Sequence, residues 1–549
     1  MLRFIKKPSS FNFFLAFMLC FVFTLSGQTN TYKSKAFNAE IKHVNSDYLN
    51  INNVRATINA NGRLFALENQ PADDTQPGFE LKDVAKHSIH AAGLWIGGKE
   101  NVQNQYRLMT PTFGQTGSDI FPGPVMNLDS YQEELAKWNR VWKVTRDEIE
   151  SHITNYNSPS YIVPEGILNW PAHGDLSKNQ SKNLAPFVDN NFNGKYEPRK
   201  GDYPDVRGDE TICFIYNDMA GSHRESGGIA LGVEIIGLAY AFDREDKTYK
   251  NTIFVDYIIR NRSGSNYTDV KVGLFTDMDL GLNPYNDYAG SDPDRNTYFG
   301  YNANRNMRKE VFGKSRTPFQ SVTILTEELD GFMTYNNDWT LTGNPFKPMD
   351  FFCYLHNGWK DGKKLTNGNF GRNGSLDVKY MFDGNPLGYG GWSEKNLNNP
   401  HGDRRGLGLL EYDLLSSNAE IHISVAYSFA IGLKRMQKNV DKINKDYTYE
   451  RGPFFKPGQK GDENNKLEIS DALSLYPNPM EYTTELYFTN ELNQNFDVLI
   501  TDINGRLIRK IVDLSGNRFT LNRESMQPGM YFVEIHQNQD KYINKLVVQ

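Results

Sequence analysis

Residues 229–280 read IALGVEIIGLAYAFDREDKTYKNTIFVDYIIRNRSGSNYTDVKVGLFTDMDL, and the fold class is written here. Ile229 to Phe242 and Thr252 to Arg260 are dense in β-branched and aromatic residues, which fit a pleated, half-buried surface. Asn261-Arg262-Ser263-Gly264-Ser265-Asn266 has the composition of a turn. Val270 to Phe275 then brings the chain back as the next strand. Strands of this kind pack as a meander or Greek-key sandwich. The expectation is a mainly β protein with a large sandwich-type body, long loops and a few short helices.

Text on both sides of this stretch agrees. Val54 to Ile58, Leu64 to Leu67 and Ala92 to Ile96 are short apolar runs between Gly, Asn, Asp and Pro clusters. AGLWIGG at 92–98 reads as a strand ending in a glycine turn. After Trp142-Lys143-Val144, Thr145 stands three residues before Glu148. That spacing is a capping box, and Ile149 and Ile153 follow at helical spacing. Leu433, Met436, Val440 and Ile443 share one helical face and predict a helix over 433–446. Residues 283–420 are Gly- and Asn-rich, with the long connections in which binding usually resides. A break between two subdomains of the body would fall near 210–228.

The 549 residues suffice for about three or four domains. The N-terminus has a basic start (Arg3, Lys6, Lys7) and an apolar run from Phe13 to Phe23. Mostly small and polar residues follow to Gln28. This is the pattern of a signal peptide spanning 1–27, and the apolar run is too short to span a bilayer. Residues 28–45 read as a loose start to the mature chain. Loss of the three leader cations takes the net charge from −6 to −9, which disfavours nucleic acid as a partner and permits cations. Cys213 and Cys353 lie outside the leader. Export to an oxidising compartment leaves one disulfide open to them, against two buried thiols in strand-like text.

Residues 455–472 are polar and hold Pro and Gly, as a linker does. Beyond them, 473–549 form a compact β module. Glu485 to Phe488, Phe496 to Thr501, Arg506 to Ile511, Met530 to His536 and Lys541 to Val548 read as strands. Asn504-Gly505 is a hairpin signal. Tyr476-Pro477-Asn478-Pro479 after the linker, Gly529-Met530-Tyr531, and a closing Lys545-Leu546-Val547-Val548-Gln549 together resemble the type A C-terminal sorting domain of the type IX secretion system. The resemblance implies a bacterium of the Bacteroidota and passage through the periplasm and across the outer membrane. It also implies removal of the module by a sortase-like protease, with the cargo anchored at the surface or released. Trp170-Pro171-Ala172-His173-Gly174-Asp175 and Gly201-Asp202-Tyr203-Pro204 resemble text recurring in large surface proteins of the same bacteria, and transfer no activity.

Two loops have metal-binding character. In Asp189-Asn190-Asn191-Phe192-Asn193-Gly194-Lys195, oxygen side chains stand at positions one, three and five and Gly at six, spacing that wraps a hard cation such as Ca²⁺. Lys195 would supply its carbonyl. Position twelve is Lys200, so Asp202 or Glu197 would close the ring. The bland alternative is an Asn-Gly turn bonded to its own backbone. The second loop is Asp277-Met278-Asp279, continuing to Asp287. Asp277 and Asp279 face one side if the strand continues, and their mutual repulsion calls for a cation. The bland alternative is a solvated acidic turn.

No G-x-S-x-G or H-E-x-x-H occurs. His87 and His90 are read as packing or surface residues and His173 as a structural hydrogen-bonding group, ahead of any catalytic role. Trp339, Trp359, Tyr389 and Trp392 are candidates to stack on sugar rings, or else to fill a core. The expectation is a surface-displayed or released, calcium-stabilised binding or adhesion module with a glycan or other surface ligand. A secreted hydrolase and a structural surface-layer component are the alternatives.

Overall fold

A computed structural model of the chain describes residues 43–67, 76–112, 118–191, 193–280, 284–303, 316–388, 390–449, 473–488, 490, 494–502, 507–523, 526–537 and 540–548. The leader, residues 28–42 of the loose start, the linker at 455–472, Tyr389 and the Asn504-Gly505 turn lie outside these.

The protein is mainly β, and its body is built on two antiparallel sheets. The first runs in the order Ser46–Leu49, Val54–Asn59, Phe79–Leu81, Lys86–Glu100, Tyr267–Met278, Arg404–Leu415, Gly331–Asn336. The second runs Asp287–Asp292, Thr297–Asn302, Pro318–Ile324, Glu420–Ile431, Thr252–Asn261, Val233–Ala241, Glu210–Asn217, Phe121–Pro122. Val255, Tyr257 and Ile259 from the second sheet share one core with Val272, Leu274 and Leu94 from the first.

The strand at 267–278 therefore does not return beside 252–261, as the sequence suggested. The turn at 261–266 carries the chain from one sheet to the other, and 416–419 does so again. Buried Asn261 ties the two crossings together. Its Nδ2 donates to the Leu415 and Ser416 carbonyls at 3.2 and 3.1 Å, and its own carbonyl accepts from the Asn418 N–H at 2.9 Å.

Both faces of each sheet are apolar. Along Glu210–Asn217, Ile212, Phe214 and Tyr216 enter the central core, while Cys213 and Ile215 enter a second core on the far side. Helices Leu128–Trp138 and Arg146–Asn155 fill that second core with Tyr131, Trp138 and Ile149. The second of these helices starts at the expected capping box, with both Thr145 and Glu148 bonds made. Helix Leu433–Tyr449 covers more of the same sheet with Met436, Val440 and Ile443.

The outer face of the first sheet is covered by the irregular segment 337–403 and its helix Pro348–Leu355. Trp95 stacks on Phe275 at 5.4 Å and meets Phe351 edge-on at 5.1 Å. A Cβ on Gly97 would stand 2.9 Å from the Leu355 side chain. The Gly97-Gly98 pair thus lies inside strand Lys86–Glu100 and admits a helix, where the sequence suggested a turn. Cys353 lies on this helix, not on a strand, and Cys213 and Cys353 are both free and buried.

The C-terminal module makes two further sheets. One holds Leu473–Tyr476, Thr483–Phe488 and Arg518–Asn522. The other holds Leu507–Leu514, Phe496–Asp502, Gly529–Gln537 and Asp540–Val548. Leu486, Val498, Ile500, Val533 and Leu546 form a core of its own residues. None of its described strands joins a sheet of the body. Among the described residues no helix is long and apolar enough to cross a membrane.

Close packing across 210–217 and 233–241 yields a stability test. Gly237 faces Phe214, whose ring would lie 2.0 Å from an added Cβ, whereas nothing lies within 4 Å of one on Gly93. Gly237→Ala is expected to destabilise by about 1–3 kcal/mol in urea unfolding. Gly93→Ala is expected to leave the midpoint unchanged or slightly higher.

Candidate functional site

Strand register assembles a charged cluster at one end of the first sheet. Asp277 stands opposite Arg405 and Met278 opposite Arg404, with Arg404 also opposite Asn336 on the next strand. Arg405 Nε lies 3.2 Å from Asp277 Oδ2, with both side chains buried. Arg404 pairs with buried Glu394 at 2.8 Å and donates to Asn336 Oδ1 at 2.7 Å. Arg405 also bonds Asn344. These two guanidiniums fasten segment 337–403 to the sheet.

A cleft of about 410 Å³ opens beside the cluster. Asn336, Asn337, Asp338 and Thr342 line it, as do Asn399, His401, Asp403, Phe370 and Tyr285. Asp403 accepts from Asn337 Nδ2 at 2.8 Å. Burial and the Asp277 carboxylate push Asp403 up to about 6. Burial, then Asp277 and Asp403, push Asp279 up to about 7. Burial raises Asp287 well above the carboxylate range. One Asp287 oxygen accepts from the Leu280 N–H at 2.9 Å. The other, and one oxygen of Asp279, are buried with no hydrogen-bond partner. The charge of Asp277 acts on Asp279, and the counter-charge of Asp277 is Arg405.

In the other loop, Asp189 Oδ1 accepts from the Asn193 N–H at 3.3 Å and Oδ2 from the Gly194 N–H at 2.6 Å. Asn191 Oδ1 accepts from the Asn193 N–H at 3.2 Å, and Asn193 Oδ1 from the Lys195 N–H at 2.8 Å. Buried Asp202 closes the loop, taking the Asn190 N–H at 2.9 Å and the Glu197 N–H at 2.6 Å. Glu197 reaches the Asn193 side chain at 2.5 Å and Lys200 at 2.7 Å. Of the two suggested closing acids, Asp202 frames the backbone and Glu197 lies among the side-chain oxygens. Among the described residues, no group of three or more His, Cys, Asp or Glu is arranged to hold a metal ion.

His173 Nε2 accepts from the Tyr196 N–H at 3.1 Å, so Nδ1 carries the proton toward the Lys182 carbonyl at 2.9 Å. It is a loop clamp, and Asp175 caps a short 3-10 turn at Ser177. His87 and His90 lie on strand Lys86–Glu100, with Asp403 and Arg405 acting on His90. Trp359 is buried and bonds the Gly371 carbonyl, Trp392 is half-buried, and Trp339 is exposed.

In the tail, Asn478 Oδ1 accepts from the Val547 N–H at 2.9 Å, and its Nδ2 donates to the Lys545 carbonyl at 2.6 Å. The Pro477-Asn478-Pro479 text is thus pinned to the last strand. Gly529 stands opposite Val548, and the Tyr531 hydroxyl donates to the Gln527 carbonyl at 2.8 Å.

Sequence reading missed Asp403, Arg404, Arg405 and Glu394. His401-Gly402-Asp403-Arg404-Arg405 is a dense charged run opening a strand, and that density is the one signal available.

Residues 474–549 match the family model of the secretion system C-terminal sorting domain. The tail is a sorting domain of this kind, and it marks the chain for secretion. No curated protein matches the chain. Among solved structures, a polysaccharide lyase aligns with TM-score 0.19 and 10% identity over 57% of this chain and 34% of that one. The GalM/aldose epimerase homologue from C. elegans aligns with TM-score 0.23 and 7% identity over 71% and 100%. The BSP domain of a biofilm associated protein aligns with TM-score 0.13 and 7% identity over 62% and 59%. The chain spans about a third of the polysaccharide lyase it matches. Superpositions this loose assign neither fold nor chemistry to the body.

The acidic cluster predicts a pH dependence in calcium-free buffer. An acid raised on folding binds more protons folded than unfolded. Its contribution is full below the unfolded value, about 4, and is lost as pH rises through the folded value, about 7 for Asp279. Asp279→Asn mimics the protonated acid. It should match the parent at pH 4 and melt progressively higher than the parent toward pH 8, as read by thermal unfolding.

Proposed function

We propose that this secretion-tagged chain is carried by the type IX system to deliver a calcium-supported binding module to the cell surface or the medium. The observation that carries the binding reading is the cleft at the end of the first sheet. It is built from side chains that two buried ion pairs hold in place. The chain divides into a leader at 1–27, a body at 28–454, a linker at 455–472 and the sorting domain at 473–549. The sorting domain engages the secretion machinery, and a sortase-like protease removes it.

Calcium binds the loop Asp189 to Asp202, through Asp189, Asn191, Asn193, the Lys195 carbonyl and Glu197. Glu197 brings a further carboxylate beside this loop, 2.5 Å from the Asn193 side chain, and this supports the reading. A second cation bridges Asp279 and Asp287, supported by their unpartnered buried oxygens.

Calcium at a hundred times its Kd should stabilise the body by about 2.7 kcal/mol. Thorough chelation should lower Tm correspondingly. Asp189→Ala should lose the part of the calcium response that belongs to this loop and melt somewhat below the chelated parent, because it also loses two backbone hydrogen bonds. An unchanged Tm after chelation removes the metal reading.

Deleting 473–549 should retain the body in the periplasm. Cell fractionation in the native host checks this, and surface delivery of the truncated chain would overturn the export reading.

A further inference from the structure

We infer that the cleft takes a neutral glycan chain, with Trp339 and Phe346 as the stacking platform beside a polar trough. This rests on the binding reading given above.

Trp339 and Phe346 are 69% and 61% exposed and meet edge-to-face at 5.9 Å. They belong to the turn whose Asn337, Asp338 and Thr342 form one wall of the cleft. That turn is built. The Asn344 N–H donates to the Asp338 carbonyl at 2.6 Å, the Asn336 N–H to the Thr342 carbonyl at 3.1 Å, and the Thr340 N–H to Asp338 Oδ1 at 2.8 Å. Two large rings held in water on a firm base mark a contact surface. The other tryptophans of the same segment, Trp359 and Trp392, pack inward.

The trough beside them offers amides from Asn336, Asn337 and Asn399, the Thr342 hydroxyl, and carboxylates from Asp338 and Asp403. Amides donate and accept at once, which vicinal hydroxyls require. A pyranose has an apolar C–H face for a ring and a polar rim for such a trough. The volume of about 410 Å³ lies in the range of small-ligand sites.

Charge narrows the class. Arg404, the arginine lining the cleft, is neutralised by Glu394 at 2.8 Å. Among the described residues that line the cleft no other guanidinium is present, and Asp338 and Asp403 repel a sulfate, phosphate or uronate. A peptide adding as a strand is disfavoured too. The edge strand Gly331–Asn336 is already bridged by Tyr380 and Gly343.

The test uses the full exported chain and calorimetry. The neutral probes are cellohexaose, xylohexaose, mannohexaose and chitohexaose, and the anionic ones are polygalacturonate and heparin. At least one neutral probe should bind, and Trp339→Ala and Asn337→Ala should each weaken it about tenfold or more. Exposed Trp339 should be removable without lowering Tm. Binding of only the anionic polymers, with the same sensitivity to Trp339→Ala, overturns the glycan class and leaves the cleft as a binding site. Neutral-glycan binding that neither substitution changes overturns the assignment to this cleft. Silence with every probe overturns this inference. The wider binding reading falls only when adhesion of the chain to cells and matrix is also unchanged by both substitutions.

Discussion

Each of the two main sheets presents apolar side chains on both faces, and neither outer face can be left in water. At about 25 cal/mol per Å² of apolar area, an uncovered face would offset much of what the central core contributes. The chain answers with two different covers. Helices Leu128–Trp138, Arg146–Asn155 and Leu433–Tyr449 cover the second sheet. The largely irregular segment 337–403 covers the first, seated on Trp95, Phe275 and the glycine gap at Gly97.

A cover made mostly of loop carries many polar groups, and these must be satisfied or left at an edge. Arg404 and Arg405 meet that demand at one end of the sheet. Each is paired to a buried carboxylate, Glu394 and Asp277, and each also bonds an asparagine, Asn336 and Asn344. Removing one partner of such a pair would leave a buried charge uncompensated, at a cost of about 3–5 kcal/mol. The cleft is a consequence of this fastening: the cover is pinned at its ends and leaves a trough between them. Raised acids in the same place, Asp279 and Asp403, reflect how little water reaches the cluster.

The tail obeys a different constraint. A module of some 75 residues buries little core, about 60% of the surface of its unfolded chain, and closes on itself instead. Asn478 ties the start of the module to its last strand through Lys545 and Val547. Asn478, Lys545 and Val547, three residues of the text that identifies the family, thus fasten the start of the module to its last strand, and recognition text and folding constraint coincide there.

The sequence alone determined the β class, the Thr145 capping box, a helix from Leu433 through Ile443 and the sorting tail. Each rests on short-range signals: alternation, a cap three residues from its partner, a motif of four. Of its two readings of Asp189 to Lys195, the Asn-Gly turn bonded to its own backbone is the one written in consecutive residues, and those bonds are made. Other readings failed where distant packing overrides local text. Gly97-Gly98 resembles a turn until Leu355 lies over it, and Phe351-Phe352-Cys353 resembles a strand until it covers Trp95. Asp403, Arg404, Arg405 and Glu394 were beyond reach for the same reason. Asp277 and Arg405 are 128 residues apart in the chain. Only the register of two strands, set by a core that forms as a whole, makes them neighbours.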